Sequence, residues 1–446
     1  MPTYHLESPV DADADTLFAW HERPDCLHRL MPPWDQTTLV ERTGGLEVGA
    51  RTVFDAQLIG PASVRWVSEH TFCERPTGFD DRQVQGPFAS WHHEHRFADG
   101  LLSDTVHWEP PVGALGMAVA GGMLSRRIDQ MFRYRHRRTR EDMARRSAPM
   151  RVAITGASGL VGTALTHYLR CGGHEVVPLV RQPDRPGIQW NVREQTIDAE
   201  ALEGFDAIVH LAGAGIADEP WSDARRDVLW RSRVDGTRLL ARTLAALERP
   251  PKVFISGSAV GYYGDGGDRA LTESSPSGDG FLADLVENWE GAATQAVEAG
   301  IRTVFLRTGI VLSSHGGALA AQLPIYRAGG GGPVGGGAQF VPWIHIDDLV
   351  YAIHHAIVTE HVQGPMNGTA PEPVPQRALA TAIGRALHRP AFLPTPAAAV
   401  RIALGRQMAD ELIMFGQRAR PAALQASGFR FAFPELQDAL DTELGA

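Results

Sequence analysis

The sequence contains very little of what marks secreted, cysteine-stapled or membrane-spanning proteins. Its 446 residues include three cysteines, Cys26, Cys73 and Cys171, which lie far apart. This spacing gives neither a disulfide framework nor a metal-binding cysteine motif, so we expect a reducing, cytoplasmic environment. The N-terminal residues show no basic region followed by an apolar one, which argues against a secretory signal. The longest weakly polar run, residues 114–124, is too short to span a bilayer, and we expect no membrane span.

Lysine is almost absent as well. Lys252 is the only lysine, and nearly all other positive charge comes from arginine. The formal net charge of −10 argues against nucleic acid as a partner. Residues 126–146 are rich in arginine, and we interpret them as a solvated helix face and domain linker. A surface for anionic lipid or nucleic acid is the alternative for this segment.

Three regularly spaced glycines form the best-defined motif that is present. Gly156, Gly159 and Gly162 follow a short apolar run at residues 152–154 and precede a segment of helical periodicity. A strand, a glycine turn and a helix in this order are typical of a dinucleotide-binding site, where the pyrophosphate lies at the helix N-terminus. An ordinary strand–turn–helix is the alternative. We expect the cofactor to contact the residues of this turn, namely Thr155, Gly156, Ser158, Gly159, Leu160, Val161 and Gly162.

The residue after the next apolar segment, residues 175–180, indicates which dinucleotide binds. In NAD-binding sheets an acidic residue about 20 positions after the glycines holds the ribose 2′-hydroxyl, whereas an arginine pairs with the 2′-phosphate of NADP. Arg181 occupies this place, and Arg185 is a second candidate. A solvated surface arginine is the alternative interpretation. The sequence therefore predicts NADP(H).

From Met150 onward, strand-like and helical segments alternate regularly. Strands are predicted at 176–180, 207–211, 252–256 and 303–307, with a long amphipathic helix over 225–247. This order predicts an α/β, doubly wound, Rossmann-like parallel sheet. Because the ligand of such a sheet lies beyond the carboxyl ends of its strands, further cofactor contacts are predicted there, at Leu211, Ala212, Gly213, Ser256 and Arg307.

Residues 1–146 are predicted to form a separate α+β domain. A first strand, a helix over residues 11–30 capped by Asp13 or Asp15, several alternating segments and a helix over 115–143 indicate an antiparallel sheet closed by a long helix. Residues 91–95 read Trp-His-His-Glu-His, a pattern that looks like a metal site, but on a strand His93 and His95 face one way while His92 and Glu94 face the other. Because no second group of ligands is visible, we predict no metal site.

The order of elements in residues 1–146 resembles the helix-grip fold of START/polyketide-cyclase-like proteins. Pro32, Pro33 and Trp34 after the first helices add to this resemblance. It implies a cavity for an apolar ligand, and a small core without a ligand is the alternative.

Residues 150–446 resemble the extended short-chain dehydrogenase/reductases, and more narrowly their atypical subgroup of epimerase family proteins. The resemblance is carried by the stretches 155–162, 210–213, 256–264 and 343–349, together with 367–371, 388–390 and 428–431 near the end of the chain. It implies an NADP-binding Rossmann-like domain over residues 150–368. It also implies a small C-terminal domain over residues 369–446.

The catalytic pair of the extended family is missing from the chain. Extended members use Tyr-x-x-x-Lys, in which the lysine lowers the tyrosine pKa. Residues 281–290, where the pair should fall, contain neither residue type, and Glu248 stands four residues before the only lysine. The resemblance implies that Ser258 orients a substrate carbonyl, while Tyr262 or Tyr263 is a candidate phenolic donor. A strand-end hydroxyl and a packing tyrosine are the alternatives.

Other polar residues near the predicted cleft are expected to be structural. Asp284 and Glu287 are expected to be solvated, and Asp347 with Asp348 to cap the following helix. Seven glycines within residues 329–337 predict a mobile loop, either a lid or a linker.

Together these features predict an NADP(H)-binding, epimerase-like oxidoreductase of atypical mechanism that acts on a small-molecule substrate. The alternative is a non-catalytic, NADP(H)-responsive ligand-binding or regulatory protein. The intact dinucleotide motif supports both, and the missing Tyr-x-x-x-Lys pair keeps the second one open.

Overall fold

The computed structural model describes residues 2–35, 37–56, 63–111 and 113–446. The chain divides into two compact units: Met1–Ala148 with His167–Gly173 and Gly445 form the first, and the remaining residues form the second. We refer to the part up to Ala148 as the N-terminal unit and to the part from Pro149 onward as the C-terminal unit. Among the described helices, none combines the length and the apolar character needed to cross a membrane.

The N-terminal unit is built on a seven-stranded antiparallel sheet. Its strands are β1 (Thr3–Pro9), β2 (Thr37–Thr43), β3 (Arg51–Ala56), β4 (Val64–Glu74), β5 (Gly78–Gln85), β6 (Ser90–Ala98) and β7 (Leu101–Glu109). In the sheet they stand in the order β1, β7, β6, β5, β4, β3, β2. The sequence pattern did not predict β2, because its polar residues give only a weak alternation.

Three helices accompany this sheet: α1 (Ala14–Glu22), α2 (Cys26–Leu30) and α3 (Gly113–Met143). Asp13 caps α1, since its carboxylate accepts a hydrogen bond from the Thr16 amide at 2.7 Å, as predicted. The long helix α3 contacts β1 and β7 and buries Ile128 and Phe132. The predicted α+β architecture is thereby confirmed.

The strands of this sheet alternate between the interior and solvent. Along β6, Trp91, His93, His95 and Phe97 are buried, while the residues between them are partly exposed. The prediction that His93 and His95 share a face is confirmed. The same alternation along β7 buries Asp104, so neighbouring strands bring charged and titratable groups into the interior.

The C-terminal unit contains an eight-stranded sheet and three small two-stranded ones. Its strands are β8 (Arg151–Thr155), β9 (Glu175–Val180), β10 (Ile188–Asn191), β11 (Thr196–Ile197), β12 (Ala207–His210), β13 (Val253–Ala259), β14 (Ala270–Leu271), β15 (Arg302–Thr308), β16 (Ile310–Leu312), β17 (Phe340–Val341), β18 (Trp343–His345), β19 (Gly364–Gly368), β20 (Val374–Pro375) and β21 (Arg418–Ala419).

The large sheet has the order β11, β10, β9, β8, β12, β13, β15, β19. All neighbours from β10 to β19 are parallel, and only β11 is antiparallel. The chain adds strands on one side of β8 and then continues on the other side from β12 onward. The predicted doubly wound sheet is confirmed, and its ligand-binding crevice opens at the carboxyl ends of β8 and β12.

The helices of this unit are α4 (Leu160–Cys171), α5 (Asp223–Trp230), α6 (Gly236–Ala245), α7 (Phe281–Gly291), α8 (Thr294–Glu298), α9 (Gly317–Arg327), α10 (Ile346–Val358), α11 (Gln376–Ala386), α12 (Ala397–Leu404), α13 (Arg406–Ala409), α14 (Ala422–Ala426) and α15 (Leu436–Leu444). The single helix predicted over 225–247 consists of α5 and α6, joined by a π-helical turn at Arg231–Asp235. Such turns change the direction in which side chains leave a helix.

The last part of the chain returns to earlier strands of the same unit. The strand β21 pairs with β14, and β20 pairs with β17. Segments after residue 368 therefore hold the loops that follow β13 and precede β18.

Two local predictions in this unit are wrong. The glycine-rich stretch 329–337 is not free, because the amides of Leu393 and Thr395 donate hydrogen bonds to the carbonyls of Gly331 and Pro333. The helix α10 is capped by His345, whose Nδ1 accepts from the Asp347 amide at 3.2 Å. The carboxylate of Asp348 instead accepts two amide hydrogen bonds from residues 432 and 433.

Candidate active site

The glycine turn after β8 is shaped by close backbone contacts. Gly156 has a φ of +71°, and a Cβ at this position would lie 2.8 Å from the carbonyl carbon of Leu211. A Cβ on Gly162 would lie 2.1 Å from the Gly156 carbonyl oxygen. No larger residue fits at either position without moving the backbone. The turn is therefore as tight as the glycine spacing predicted.

The first turn of α4 is open to a ligand. Ser158 and Gly159 are exposed, and Leu160 and Val161 are partly exposed. The first amides of a helix have no partner within the helix and carry partial positive charge. These four residues are thus accessible at a helix N-terminus, and their contact with a cofactor phosphate stays a prediction.

Thr155 and Ser256, by contrast, are buried within the strands. The hydroxyl oxygen of Thr155 accepts hydrogen bonds from the amides of Leu211 and Ala212, each at 3.1 Å. It also lies 2.6 Å from Nδ1 of His210. Burial lowers the pKa of His210 to about 4, so its ring is neutral near pH 7. Thr155 therefore connects the turn after β8 to the loop after β12, and its predicted contact with a cofactor stays a prediction.

Arg181 follows β9 directly and is exposed, at the edge of the same crevice. Within the described residues its side chain makes no hydrogen bond or ion pair, and the same holds for Arg185. A cation that is exposed and unengaged at this place fits the predicted contact with a 2′-phosphate. Leu211 and Ala212 are partly exposed and Gly213 is exposed on the opposite side of the turn.

Ser258, Glu290 and Arg307 form a hydrogen-bonded chain at the carboxyl ends of β13 and β15. The hydroxyl of Ser258 donates to Oε1 of Glu290 at 2.6 Å. Arg307 donates to both oxygens of the same carboxylate, from Nε and from Nη2, at 2.8 Å each. Burial opposes the charge on Arg307, but the Glu290 carboxylate outweighs it and raises the pKa of the guanidinium. The guanidinium of Arg307 is thus engaged by Glu290, and its predicted contact with the cofactor stays a prediction.

Glu290 is the residue that the sequence reasoning missed. It lies on α7, the helix in which Tyr-x-x-x-Lys was expected, whereas Asp284 and Glu287 on that helix are exposed, as predicted. Glu290 stands four residues after the buried Val286 and so lies along its inward side. The four-residue spacing from Val286 would have distinguished the Glu290 carboxylate from the exposed carboxylates of Asp284 and Glu287.

The two tyrosines after β13 have different surroundings. Tyr263 is buried; its hydroxyl donates to Oδ1 of Asn367 at 2.7 Å and accepts from Arg307 at 3.1 Å. Burial raises the pKa of this phenol, and its hydroxyl is engaged by Asn367 and Arg307. Tyr262 is partly exposed, and its ring centre lies 3.5 Å from the Arg307 guanidinium carbon. Its hydroxyl has no hydrogen-bond partner in the described part of the chain.

Arg233 adds a cation that the sequence analysis did not assign to the site. It lies in the π-helical turn, and its guanidinium carbon would be 3.3 Å from a Cβ on Gly213. Burial, reinforced by Arg225, lowers its pKa to about 10. Among the described residues no carboxylate pairs with it. A partly buried, unpaired cation at this loop favours an anionic group on the bound ligand.

The N-terminal unit contains a separate cavity of about 370 Å³. Most of its lining is apolar, with Trp66, Trp91 and Met131 among the walls, and Asp81 and His93 are among its polar groups. The cavity implied by the helix-grip resemblance is present. Its ligand stays a prediction.

Three family models match successive parts of the chain. Residues 10–137 match polyketide cyclase / dehydrase and lipid transport, and residues 152–367 match the NAD dependent epimerase/dehydratase family. Residues 395–443 match a domain of unknown function, DUF1731. The models thus agree with the folds of the two units.

Several curated proteins are similar to this chain over the C-terminal unit. An epimerase family protein of Mycobacterium leprae is 40% identical over 300 residues, which are 67% of this chain and 97% of that protein. The epimerase family protein SDR39U1 of Homo sapiens is 39% identical over 294 residues, which are 65% of this chain and 98% of that protein.

Two solved structures extend these similarities. A nucleoside-diphosphate sugar epimerase from Corynebacterium glutamicum is 31% identical with a TM-score of 0.78, covering 99% of this chain and 90% of that one. Human SDR39U1, solved with NADPH, is 38% identical with a TM-score of 0.62, covering 66% of this chain and 99% of that one. Given these matches over nearly the whole length of its relatives, the chain belongs to the epimerase family proteins, as the sequence resemblance predicted.

Proposed function

We propose that the C-terminal unit is an NADP(H)-dependent oxidoreductase of the epimerase type in which Ser258 and Glu290 carry the substrate proton. The observation that supports this proposal most is the 2.6 Å hydrogen bond from Ser258 to Glu290 at the end of β13. Strand ends are the part of a doubly wound sheet where ligands bind. The bond supplies a proton-accepting pair in a chain that has no Tyr-x-x-x-Lys.

The cofactor in this proposal is held by the glycine turn and by Arg181. The exposed first turn of α4 receives the pyrophosphate, and Arg181, with Arg185 beside it, receives the 2′-phosphate. The structure of human SDR39U1 was solved with NADPH, which supports the same cofactor here. The cofactor supplies the hydride-exchanging nicotinamide.

The chain's own residues handle the proton that accompanies the hydride. When an alcohol is oxidised, its carbon loses a hydride to the nicotinamide and its O–H bond breaks. The proton moves to Ser258 Oγ while Ser258 passes its own proton to Glu290. In carbonyl reduction each transfer runs in reverse. Arg307 positions Glu290 and does not touch the substrate.

Two further residues orient the substrate in this proposal. The free hydroxyl of Tyr262 donates to the substrate oxygen, which Tyr263 cannot do because Asn367 and Arg307 occupy its hydroxyl. Arg233 pairs with a phosphate or carboxylate of the bound ligand. The substrate class is therefore a small carbonyl or alcohol.

The test follows deuterium from NADPH labelled at the transferable position into small molecules of a cell extract, by mass spectrometry. Full-length protein should label at least one metabolite. Ser258→Ala and Glu290→Gln should each slow the transfer at least about 100-fold while leaving the affinity for NADPH unchanged. Loss of transfer with intact binding separates a proton-handling role from a structural one.

A matched control comes from a serine in the loop before α7 that contacts a glutamate on this helix. Ser277 donates to Glu287 at 3.4 Å on the exposed side of α7, so Ser277→Ala removes a serine–glutamate contact outside the site. This variant should transfer deuterium at the rate of the unmodified protein. Transfer that survives Ser258→Ala contradicts the proposal. NADPH binding without transfer to any metabolite favours the non-catalytic alternative.

A further inference from the structure

Four polar residues from three neighbouring strands meet on the inner face of the N-terminal sheet. Asp81 on β5 stands opposite His93 on β6, and His95 stands opposite Asp104 on β7. His93, His95 and Asp104 are buried, and Asp81 is partly buried. The sequence pattern gave no second ligand group near the histidines, whereas the pairing of strands supplies one on each side. The prediction of no metal site rested on the lack of a second ligand group, and that reason no longer holds.

The donor atoms of three of these residues converge. Oδ2 of Asp81 lies 3.3 Å from Nδ1 of His93 and 3.9 Å from Nε2 of His95. One donor atom from each of the three residues lies within 4.8 Å of the other two. Small movements bring atoms at these separations to the metal distances of about 2.0–2.2 Å that imidazole nitrogens and carboxylate oxygens adopt.

Asp104 lies behind both rings and holds the ring of His93 by a hydrogen bond. Its Oδ1 lies 2.9 Å from Nε2 of His93 and 2.8 Å from Nδ1 of His95. Each imidazole thus turns one nitrogen to Asp104 and the other toward Asp81. A carboxylate behind a histidine, which holds its tautomer and raises its basicity, is the usual outer shell of a metal ligand. The other oxygen of Asp104 is itself held, 2.7 Å from Nε2 of His136.

The prospective ligand carboxylate is also held in place. Ser68 on β4 donates to Oδ1 of Asp81 at 2.5 Å, which leaves Oδ2 for the histidine side. His70 is on β4, as Ser68 is. It stands opposite Asp81 of β5 and lines the cavity. Its buried Nδ1 has no hydrogen-bond partner among the described residues. A polar ligand in the cavity would satisfy this nitrogen.

We propose that Asp81, His93 and His95 bind one divalent transition-metal ion at the cavity of the N-terminal unit, with at least one coordination position open to a ligand in that cavity. All three residues line the cavity of about 370 Å³. Three protein ligands leave a tetrahedral ion one free position and an octahedral ion three. Two imidazoles and one carboxylate suit zinc and ferrous iron in preference to calcium or magnesium, which take oxygen ligands.

The experiment uses the full-length chain, stripped with a chelator and reloaded with zinc, cobalt or magnesium. Elemental analysis should find one zinc per chain, and competition with a chromophoric chelator should give its affinity. The cobalt form should show the visible absorption of a low-coordinate site. Addition of thiocyanate should change that spectrum, because an anion enters the open position.

Variants assign the site to its residues. His93→Gln and His95→Gln should each weaken zinc binding by more than the roughly 10- to 100-fold expected for the outer-shell variant Asp104→Asn. The matched control is His92→Gln, since His92 directly precedes His93 on β6 but faces the other side, and its side chain is 40% exposed. It should bind zinc as the unmodified chain does. The NADPH affinity of each variant shows whether the substitution has left the C-terminal unit intact.

Three outcomes overturn the proposal. If the metal-free, folded protein takes up neither zinc nor cobalt, these residues form a hydrogen-bonded histidine–aspartate network and no metal site. Equal zinc affinity in His92→Gln, His93→Gln and His95→Gln places any bound metal elsewhere. A cobalt spectrum that does not change when thiocyanate is added rules out the open position. This measurement uses the unmodified chain, so it holds even where a variant fails to fold.

Discussion

The two units assemble their polar sites by opposite routes. In the N-terminal unit, Asp81, His93 and His95 extend from strands into the interior, where neighbouring side chains fix each of them. In the C-terminal unit, the crevice is formed by loops at strand ends, and the groups that we propose to bind the anionic cofactor are helix amides and exposed arginines such as Arg181. The first arrangement presents preset ligands at short mutual distances. The second presents an open surface that a large cofactor completes.

The C-terminal unit contains a buried charge pair and also arginines that have no carboxylate partner among the described residues. The Glu290–Arg307 pair is nearly buried, with side chains 12% and 2% exposed, and is fully matched. Arg181 and Arg233 lack carboxylate partners among the described residues. Matched buried charges position groups, whereas unmatched ones are available to a ligand. The predictions below test this division from the largest expected effect to the smallest.

Removing the matched cation should have the largest effect. Arg307→Gln leaves the Glu290 carboxylate buried without its partner, so we expect the C-terminal unit to lose about 3–5 kcal/mol of unfolding free energy. Denaturant unfolding of the full chain measures this loss. The control Arg238→Gln removes an exposed pair with Asp235 and should cost less than about 1 kcal/mol. Similar losses in the two variants would end the distinction between buried and exposed pairs.

His210 should make the C-terminal unit sensitive to acid. Its folded pKa of about 4 lies below the ordinary 6.5, so the neutral ring contributes stability that is complete above pH 6.5 and is lost as the pH falls toward 4. The shift corresponds to about 3 kcal/mol. Unfolding free energies at pH 7 and pH 4.5 should differ less in His210→Asn than in the unmodified chain. An exposed-site control, His361→Asn, should keep the full difference.

The glycine turn should control cofactor affinity without affecting the N-terminal cavity. Gly162→Ala places a Cβ against the Gly156 carbonyl, which displaces the loop, and we expect NADPH binding to weaken at least about 100-fold. Titration of NADPH fluorescence measures the affinity. Gly336→Ala is the matched control, because a Cβ there meets no atom within 4 Å. Unchanged binding in Gly162→Ala would place the cofactor outside this turn.

Arg181 should determine the preference between the two dinucleotides. Arg181→Asp removes a charge-assisted contact with the 2′-phosphate, so NADPH affinity should fall about 10- to 100-fold while NADH affinity changes little. The same substitution at Arg185 should have the smaller effect of the two. Isothermal titration of both cofactors measures the preference. An equal loss for NADPH and NADH would show that Arg181 does not contact the phosphate.

The comparison also explains which features could be predicted from the sequence. The residues of the glycine turn and Arg181 are near neighbours in sequence, so their spacing alone indicated a fold and a cofactor. The doubly wound sheet followed from the same regular alternation. The helix-grip domain followed from the order of its elements, although its weakly patterned strand β2 did not.

The features that were missed depend on contacts between distant segments. Strand pairing places Asp81 opposite His93 and Asp104 opposite His95, and Glu290 reaches Ser258 across 32 residues. Thr155 and Ser256 were placed at the correct strands, but their burial could not be predicted from a motif. The packing of residues 329–337 against 393–395 is likewise set by tertiary contacts, so composition alone indicated mobility there.

The account depends most on Ser258 and Glu290 acting as one proton-carrying unit. The most direct test compares deuterium transfer from labelled NADPH in Ser258→Ala, in Glu290→Gln and in the double variant. If the two residues share one step, the double variant should transfer deuterium no more slowly than the slower single variant. Rate losses that multiply in the double variant, with NADPH affinity intact throughout, would contradict the shared step.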